Sequence, residues 1–111
     1  MSENMADGDL DLGIWGMLGK RWTWPILKSI GSKEAARFCE IKRALAGISS
    51  TVLSERLLEL EHEGLIAKTR DSSKVEYRLT ASARELEFML TKLDRWWSAH
   101  RKECQPVIAY Q

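Results

Sequence analysis

Cysteine is scarce in this sequence of 111 residues, which contains only Cys39 and Cys104, 65 positions apart. That spacing offers neither the paired thiols of a zinc site nor the dense cysteine pattern of a disulfide-stabilised secreted domain. His100 and Cys104 would share one helix face, but two ligands alone do not make a metal site. We therefore predict two reduced thiols, no metal and no other cofactor. As a small apolar residue, Cys39 is expected to be buried and structural.

Long hydrophobic runs are also missing, since no stretch approaches the ~18 apolar residues of a membrane-spanning helix. The first twelve residues, MSENMADGDLDL, are acidic and lack the apolar segment of a signal peptide. We therefore expect a cytoplasmic protein that does not engage a membrane. Residues 1–8 are expected to be disordered, and residues 9–111 to form a single domain.

An excess of one charge is absent too: 17 basic against 16 acidic side chains give a net charge of +1. This balance argues against a strongly basic nucleic-acid binder. The distribution is uneven, however, because residues 1–19 contain four acidic residues and no basic one. Residues 20–78 contain twelve basic and eight acidic residues. The middle of the chain is therefore mildly basic.

Recognisable catalytic constellations are missing as well. The sequence shows no nucleophile with an adjacent base, no paired catalytic carboxylates and no glycine-rich loop that could hold a phosphate. We predict that the protein is not an enzyme.

The segment at about 37–63 predicts two amphipathic helices joined by a tight turn. Apolar residues repeat with helical spacing in the first helix at Phe38, Ile41 and Leu45, and in the second at Leu53, Leu57 and Leu60. Gly47 permits the left-handed backbone that ends a helix, and Ser49 or Ser50 can cap the next helix. This pattern is typical of a helix-turn-helix.

A β-ribbon and a long helix follow. Alternation of apolar and polar residues at about 65–80 predicts two strands, with a polar tip at Asp71–Lys74. Thr80 or Ser82 would cap a C-terminal helix at about 81–104. The order of elements predicts a mainly α fold with a small β-ribbon, a winged helix-turn-helix, and this fold points to double-stranded DNA.

Two further helices are expected before the helix-turn-helix. The first covers Asp9 to about Leu18. The second begins near Trp22–Trp24, because Pro25 is tolerated only in a first helical turn. Thr23 is a candidate cap, and Gly31 ends the helix.

Four motifs within this outline resemble the HxlR-type regulators, which are relatives of the MarR-like winged helices. They are W-T-x-x-I-L, R-F-x-E-I-K-x-x-L-x-G-I-S, L-S-x-R-L-x-E-L-E-x-x-G-L-I and V-E-Y-R-L-T, and the resemblance covers about residues 14–98. It implies a homodimeric transcription factor with dimer contacts from the N- and C-terminal helices. It also implies that the helix after G-I-S enters the major groove and that the wing contacts the flanking backbone. Many HxlR-type regulators carry a Cys-Pro pair where this chain has Gly8-Asp9-Leu10, and some of them use that thiol as a redox or electrophile sensor. Thiol sensing by that route is therefore not expected here.

The candidate DNA-binding residues form three groups. Polar positions at the start of the second helix of the motif could contact base edges: Ser49, Ser50, Thr51, Ser54, Glu55 and Arg56. Basic residues beside the first helix, Arg37 and Lys42, and on the ribbon and its tip, Lys68, Arg70 and Lys74, could neutralise phosphates. Glu59, Glu61 and Glu63 would repel phosphate, so we expect only the first two turns of the recognition helix to enter the groove.

An alternative function remains open at this point. The near-neutral charge and the acidic second half of the recognition helix would also suit a winged-helix protein-interaction module that does not bind DNA.

All five tryptophans lie in the expected terminal helices. Because such large side chains favour burial or interfaces, we predict a dimer interface formed by Leu10, Ile14, Trp15, Met89, Leu93, Trp96 and Trp97. A pocket for a small aromatic or apolar effector is a second interpretation of the same tryptophans. A dimer with two-fold symmetry predicts an inverted-repeat operator.

Overall fold

The computed structural model describes the backbone of residues 13–109 and the side chains of residues 13–102. Its elements are α1 (Ile14–Leu18), α2 (Thr23–Gly31), α3 (Phe38–Ala44), α4 (Ser50–His62), β1 (Ile66–Asp71), β2 (Lys74–Leu79) and α5 (Ala81–Ala109). Helices α3 and α4 form the helix-turn-helix, and the two strands form the wing. The predicted mainly helical, winged fold is confirmed.

Helix α1 begins at Ile14, directly after Gly13, whose φ of 59° is not helical. The predicted start at Asp9 lies outside the described residues. Thr23 is not the cap of α2. It is the first helical residue, and its buried hydroxyl donates a hydrogen bond of 2.9 Å to the carbonyl oxygen of Met17. This bond ties α2 to α1.

The turn between α3 and α4 forms as the sequence predicts. Gly47 has a φ of 95°, a conformation that costs glycine little. Ser49 then caps α4, because its side-chain oxygen accepts a hydrogen bond of 3.1 Å from the Val52 N–H. This turn fixes the direction in which α4 leaves the core.

The wing is an antiparallel hairpin in which Ile66 pairs with Leu79 and Asp71 pairs with Lys74. Tyr77 also exchanges two backbone hydrogen bonds with Ala36, of 2.8 and 2.9 Å. This bridge anchors the wing to the segment before α3.

Thr80 joins the end of the wing to α5. Its hydroxyl accepts from the Ala83 N–H at 3.2 Å and donates to the Gly64 carbonyl oxygen at 2.8 Å. The expected capping role of Thr80 is confirmed.

The core is centred on α2. Its buried side chains come from every helix except α1 and from both strands: Ile26, Leu27, Ile30, Ile41, Leu53, Leu57, Leu60, Ile66, Leu79, Ala83 and Leu86. The prediction that Cys39 is buried was wrong, because the thiol is exposed. Helix α3 buries the face that carries Ile41, and Cys39 lies two residues away, on the other side of the helix.

Helix α5 is longer than predicted. It has 29 residues, and at 1.5 Å per residue it is about 44 Å long. Ala83 and Leu86 in its first turns pack into the core and Leu90 is partly buried against it, whereas Phe88, Met89, Leu93, Trp96 and Trp97 are exposed. Among the described residues, no helix is long and apolar enough to cross a membrane.

Candidate nucleic-acid interface

Helix α4 separates its side chains cleanly into two faces. Leu53, Leu57 and Leu60 are buried against the core. The opposite face carries residues spaced by four, three and four positions, and all of them are exposed: Thr51, Glu55, Leu58 and His62. Ser50 and Ser54 are exposed beside this face. The predicted base-reading positions Thr51, Ser54 and Glu55 therefore lie together on an open helix face, whereas Ser49 serves as the cap.

Arg56 does not lie on that open face. Its guanidinium donates a hydrogen bond of 3.0 Å to Glu59, and 26% of its side chain is exposed. Its Nε is buried and has no hydrogen-bond partner among the described residues. Lys20 donates to the other Glu59 oxygen at 3.1 Å. These three residues line a cavity of about 530 Å³ between α4 and the turn that joins α1 to α2.

This network changes the interpretation of the acidic residues. Glu59 was expected to repel phosphate, but its carboxylate is paired with two cations on the side of α4 that faces Lys20. The argument for shallow insertion therefore does not apply to Glu59, although Glu61 and Glu63 are exposed.

The basic residues of the wing are exposed but divided between the two faces of the ribbon. Lys68 and Arg70 pair with Tyr77 and Val75, whereas Lys74 pairs with Asp71. Because directly paired residues project on the same face, Lys74 shares one face with Asp71, and Lys68 and Arg70 lie on the other face of the ribbon. Sequence alternation did not reveal this division, which depends on the register of the strands.

Arg37 and Lys42 are exposed at the two ends of α3. Glu40 lies between them and accepts a hydrogen bond of 3.0 Å from the Arg37 backbone N–H. That bond, together with the charges of Lys33 and Arg37, lowers the pKa of the Glu40 carboxyl below its usual value. The one carboxylate of α3 is therefore engaged locally, and both cations project into solvent.

A second exposed surface is apolar and is formed by α1 and α5. We call it the apolar face; its residues are Ile14, Trp15, Met89, Leu93, Trp96 and Trp97, and each is at least 43% exposed. The predicted interface residues fall here, except Leu10, which lies outside the described residues. The rings of Trp96 and His100 stack with their centroids 5.0 Å apart.

An open groove of about 460 Å³ lies at this surface. Its lining is dominated by tryptophans and leucines: Trp15, Leu18, Trp24, Leu90, Leu93, Trp96 and Trp97, with Asp94. The sequence-based expectation of an aromatic pocket near the terminal helices therefore has a physical counterpart.

The fold and the exposed face of α4 agree with the similarity of this sequence to one known family. The HxlR-like helix-turn-helix family matches residues 17–105. The chain belongs to the HxlR-like helix-turn-helix family. This HxlR-like protein is accordingly a transcriptional regulator with a helix-turn-helix DNA-binding fold.

Individual relatives agree with this assignment. An uncharacterized HTH-type transcriptional regulator of Methanocaldococcus jannaschii is 40% identical over 102 residues, which is 87% of this chain and 91% of the relative. The uncharacterized regulator YdzF of Bacillus subtilis is 34% identical over 86 residues, which is 75% of this chain and 79% of YdzF.

Solved structures match in the same way. The reduced form of YodB from B. subtilis has a TM-score of 0.72 and 28% identity, covering 92% of this chain and 98% of that one. The quinone-bound form of YodB has a TM-score of 0.69 and 29% identity, covering 78% and 92%.

Two residues of the site escaped sequence reasoning. Lys20 lies 39 positions from Glu59, and nothing in the sequence links them. Leu58 was detectable, because it falls outside the spacing of Leu53, Leu57 and Leu60 and so cannot share their buried face.

Proposed function

We propose that this HxlR-like protein binds an inverted-repeat operator as a homodimer and regulates transcription there, acting on DNA in the cytoplasm. Helix α4 enters the major groove with Thr51, Ser54 and Glu55 against base edges. The observation that carries this proposal is the open face of α4, whose hydroxyl and carboxylate groups no other described residue covers. Such groups can donate to or accept from base edges.

Phosphate contacts come from exposed cations on both sides of α4. Lys68, Arg70 and Lys74 on the wing contact the flanking backbone, and Arg37 and Lys42 contact the backbone near α3. Their charges displace counterions from the duplex, which raises affinity for any sequence. The net charge of +1 indicates modest nonspecific binding, so base contacts contribute much of the preference for the operator.

The dimer uses the apolar face. Monomeric soluble proteins rarely expose large contiguous apolar patches, and two copies of this face would bury Ile14, Trp15, Met89, Leu93, Trp96 and Trp97. A two-fold dimer places two recognition helices in successive major grooves, about 34 Å apart on one side of the duplex. The operator is therefore an inverted repeat.

Selection from random duplexes, followed by gel shifts at several salt concentrations, tests this function. We expect one inverted repeat to be enriched, and to be bound more tightly than random duplex. Thr51→Ala should weaken binding to the repeat by about 1 kcal/mol and leave random duplex unaffected, since single base contacts are worth about 1–3 kcal/mol. Failure to enrich any sequence would overturn the proposal and favour a winged-helix protein-interaction module.

The tryptophan-lined groove is the proposed site for a small aromatic or apolar effector. Its apolar lining supports this, as does the existence of a quinone-bound form of the related YodB. Because Trp15, Leu93, Trp96 and Trp97 also belong to the apolar face, a ligand there would contact both protomers. Quenching of tryptophan fluorescence by a planar apolar compound such as naphthoquinone, with a change in operator affinity, is the expected result. Unchanged fluorescence and affinity would argue against the effector.

A further inference from the structure

Leu58 is an apolar residue in the middle of the exposed face of α4. It is 58% exposed, whereas the adjacent Leu57 is 2% exposed. Thr51 and Glu55 precede it on the same face, and His62 follows it. The core therefore does not require a leucine at this position, and Leu58 projects where the proposed DNA contacts lie.

The position of Leu58 places it within reach of base edges. It lies seven positions after Thr51, which corresponds to about 10.5 Å along the helix axis, or at most about three base pairs of 3.4 Å along the duplex. Glu59, the carboxylate next to it, is held on another side of α4 by Lys20 and Arg56. The third turn of α4 is therefore free to approach the groove.

The chemistry of leucine restricts its partner. Its side chain neither donates nor accepts a hydrogen bond, so pressing it against a base-edge nitrogen or oxygen would leave that group without a partner. The major groove offers one apolar group, the C5-methyl of thymine. A leucine on a groove-facing helix consequently favours thymine over the other bases.

We propose that Leu58 is a specificity-determining residue that contacts the C5-methyl group of a thymine in each operator half-site. The inference rests on the proposed function and extends the base-reading face from the first two turns of α4 to the third. It predicts a thymine in each half-site at most about three base pairs from the pair contacted by Thr51.

Replacing thymine with deoxyuridine tests this contact, because uracil lacks only the methyl group. In the selected operator, each thymine is replaced in turn and the Kd is measured for the wild type. At one thymine per half-site, loss of the contact should weaken binding about fourfold, the equivalent of one buried methylene group. Leu58→Ala should be insensitive to uracil at that thymine and should respond like the wild type elsewhere.

Two control variants sharpen the comparison. Leu58→Met keeps an apolar side chain and should retain sensitivity to uracil. Phe88→Ala truncates another exposed apolar residue, on α5, and should leave the uracil profile unchanged. Circular dichroism should show that Leu58→Ala folds like the wild type, since no buried contact is lost.

The outcomes separate this inference from the proposed function. If an operator is enriched but Leu58→Ala responds to every uracil as the wild type does, the thymine contact is overturned and the proposed function stands. An operator in which no thymine at the predicted position is sensitive to loss of its methyl group would also overturn the thymine contact and leave the proposed function standing. If no sequence is enriched, both proposals fail.

Discussion

The Lys20 ammonium lies 3.1 Å from the Glu59 carboxylate and so connects the turn between α1 and α2 to the C-terminal half of α4. The second Glu59 oxygen accepts from Arg56 at 3.0 Å. This shared carboxylate links the N-terminal helices, which carry part of the apolar face, to the helix proposed to read DNA. Helix α4 is therefore also held by a contact from outside the helix-turn-helix.

Glu59→Gln should reduce the free energy of unfolding by about 1 kcal/mol. An exposed ion pair contributes only about 0.2–1 kcal/mol, but Arg56 is partly buried and would lose its charged partner. Urea denaturation monitored by circular dichroism provides the measurement. Glu61→Gln is the matched control, because Glu61 is exposed and no ion pair or hydrogen bond is seen for its side chain among the described residues. Equal stabilities of the two variants would contradict a structural role for the Glu59 pairs.

Helix α4 also shows what periodicity can and cannot predict. The spacing of Leu53, Leu57 and Leu60 identified its buried face correctly. The same spacing could not show that Lys20 joins Arg56 at the Glu59 carboxylate, because Lys20 lies 39 positions away and is brought close only by the tertiary fold. A pattern fixes which face of a helix a residue occupies, and distant segments decide what that face contacts.

The wing was likewise predicted only in part from the sequence. Alternation predicted two strands and a polar tip, and these features formed. The register that pairs Lys74 with Asp71 follows from the turn and was not visible in the alternation.

Cys39 was expected to be buried because cysteine is usually buried, but the thiol is exposed because of its position on α3.

Ser72→Gly should stabilise the wing. Ser72 has a φ of 58° in the turn of the hairpin, a left-handed conformation that costs a side chain about 1 kcal/mol and costs glycine little. Part of that gain is offset by the greater freedom of glycine in the unfolded chain, so we expect a net increase of about 0.5 kcal/mol. Thermal unfolding should show a slightly higher Tm. Ser73→Gly is the control. Among the described non-glycine residues, positive φ is confined to Ser72, so Ser73→Gly relieves no strain and should lower the Tm.

The stabilising contribution of Glu40 should disappear in acid. Its folded-state pKa is lowered, first by the hydrogen bond from the Arg37 N–H. A carboxyl whose pKa falls on folding stabilises the protein above its unfolded pKa, and that stabilisation is lost as the pH falls through the folded pKa. Glu40→Gln should therefore be less stable than the wild type near pH 7, and the difference should shrink below about pH 4. A difference that stays constant with pH would show that the Glu40 charge does not contribute.

Arg70→Ala and Lys74→Ala should weaken binding to every duplex and reduce its dependence on salt. The plot of log K against log salt has a negative slope, and each phosphate contact that is lost makes that slope shallower by about 0.9. Arg70 should have the larger effect, because Lys74 lies beside Asp71 on the other face of the ribbon. Titrations of operator and random duplex at several salt concentrations give the slopes. Lys102→Ala, on α5, should leave the slope unchanged; if the two wing variants also leave it unchanged, the wing does not contact phosphate.

Leu93→Asp should dissociate the proposed dimer without unfolding the protomer. Leu93 is 54% exposed on the apolar face, so the single chain tolerates a polar group there. In a two-fold interface the substitution occurs twice, and each aspartate removes about 1.5–3 kcal/mol of apolar burial and adds the cost of burying a charge. Sedimentation equilibrium should therefore show a dimer for the wild type and a monomer for the variant.

The operator provides a second readout for the same substitution. A monomer engages one half-site at a time, so Leu93→Asp should bind the full inverted repeat no more tightly than an isolated half-site, whereas the wild type should prefer the full repeat. Leu58→Ala also removes an exposed leucine, but from α4, and it should remain dimeric. A wild type that sediments as a monomer at every concentration would overturn the dimer. A Leu93→Asp variant that remains a dimer would show that the dimer contact lies elsewhere. The exposed tryptophans of α1 and α5 would then be explained by the effector groove alone.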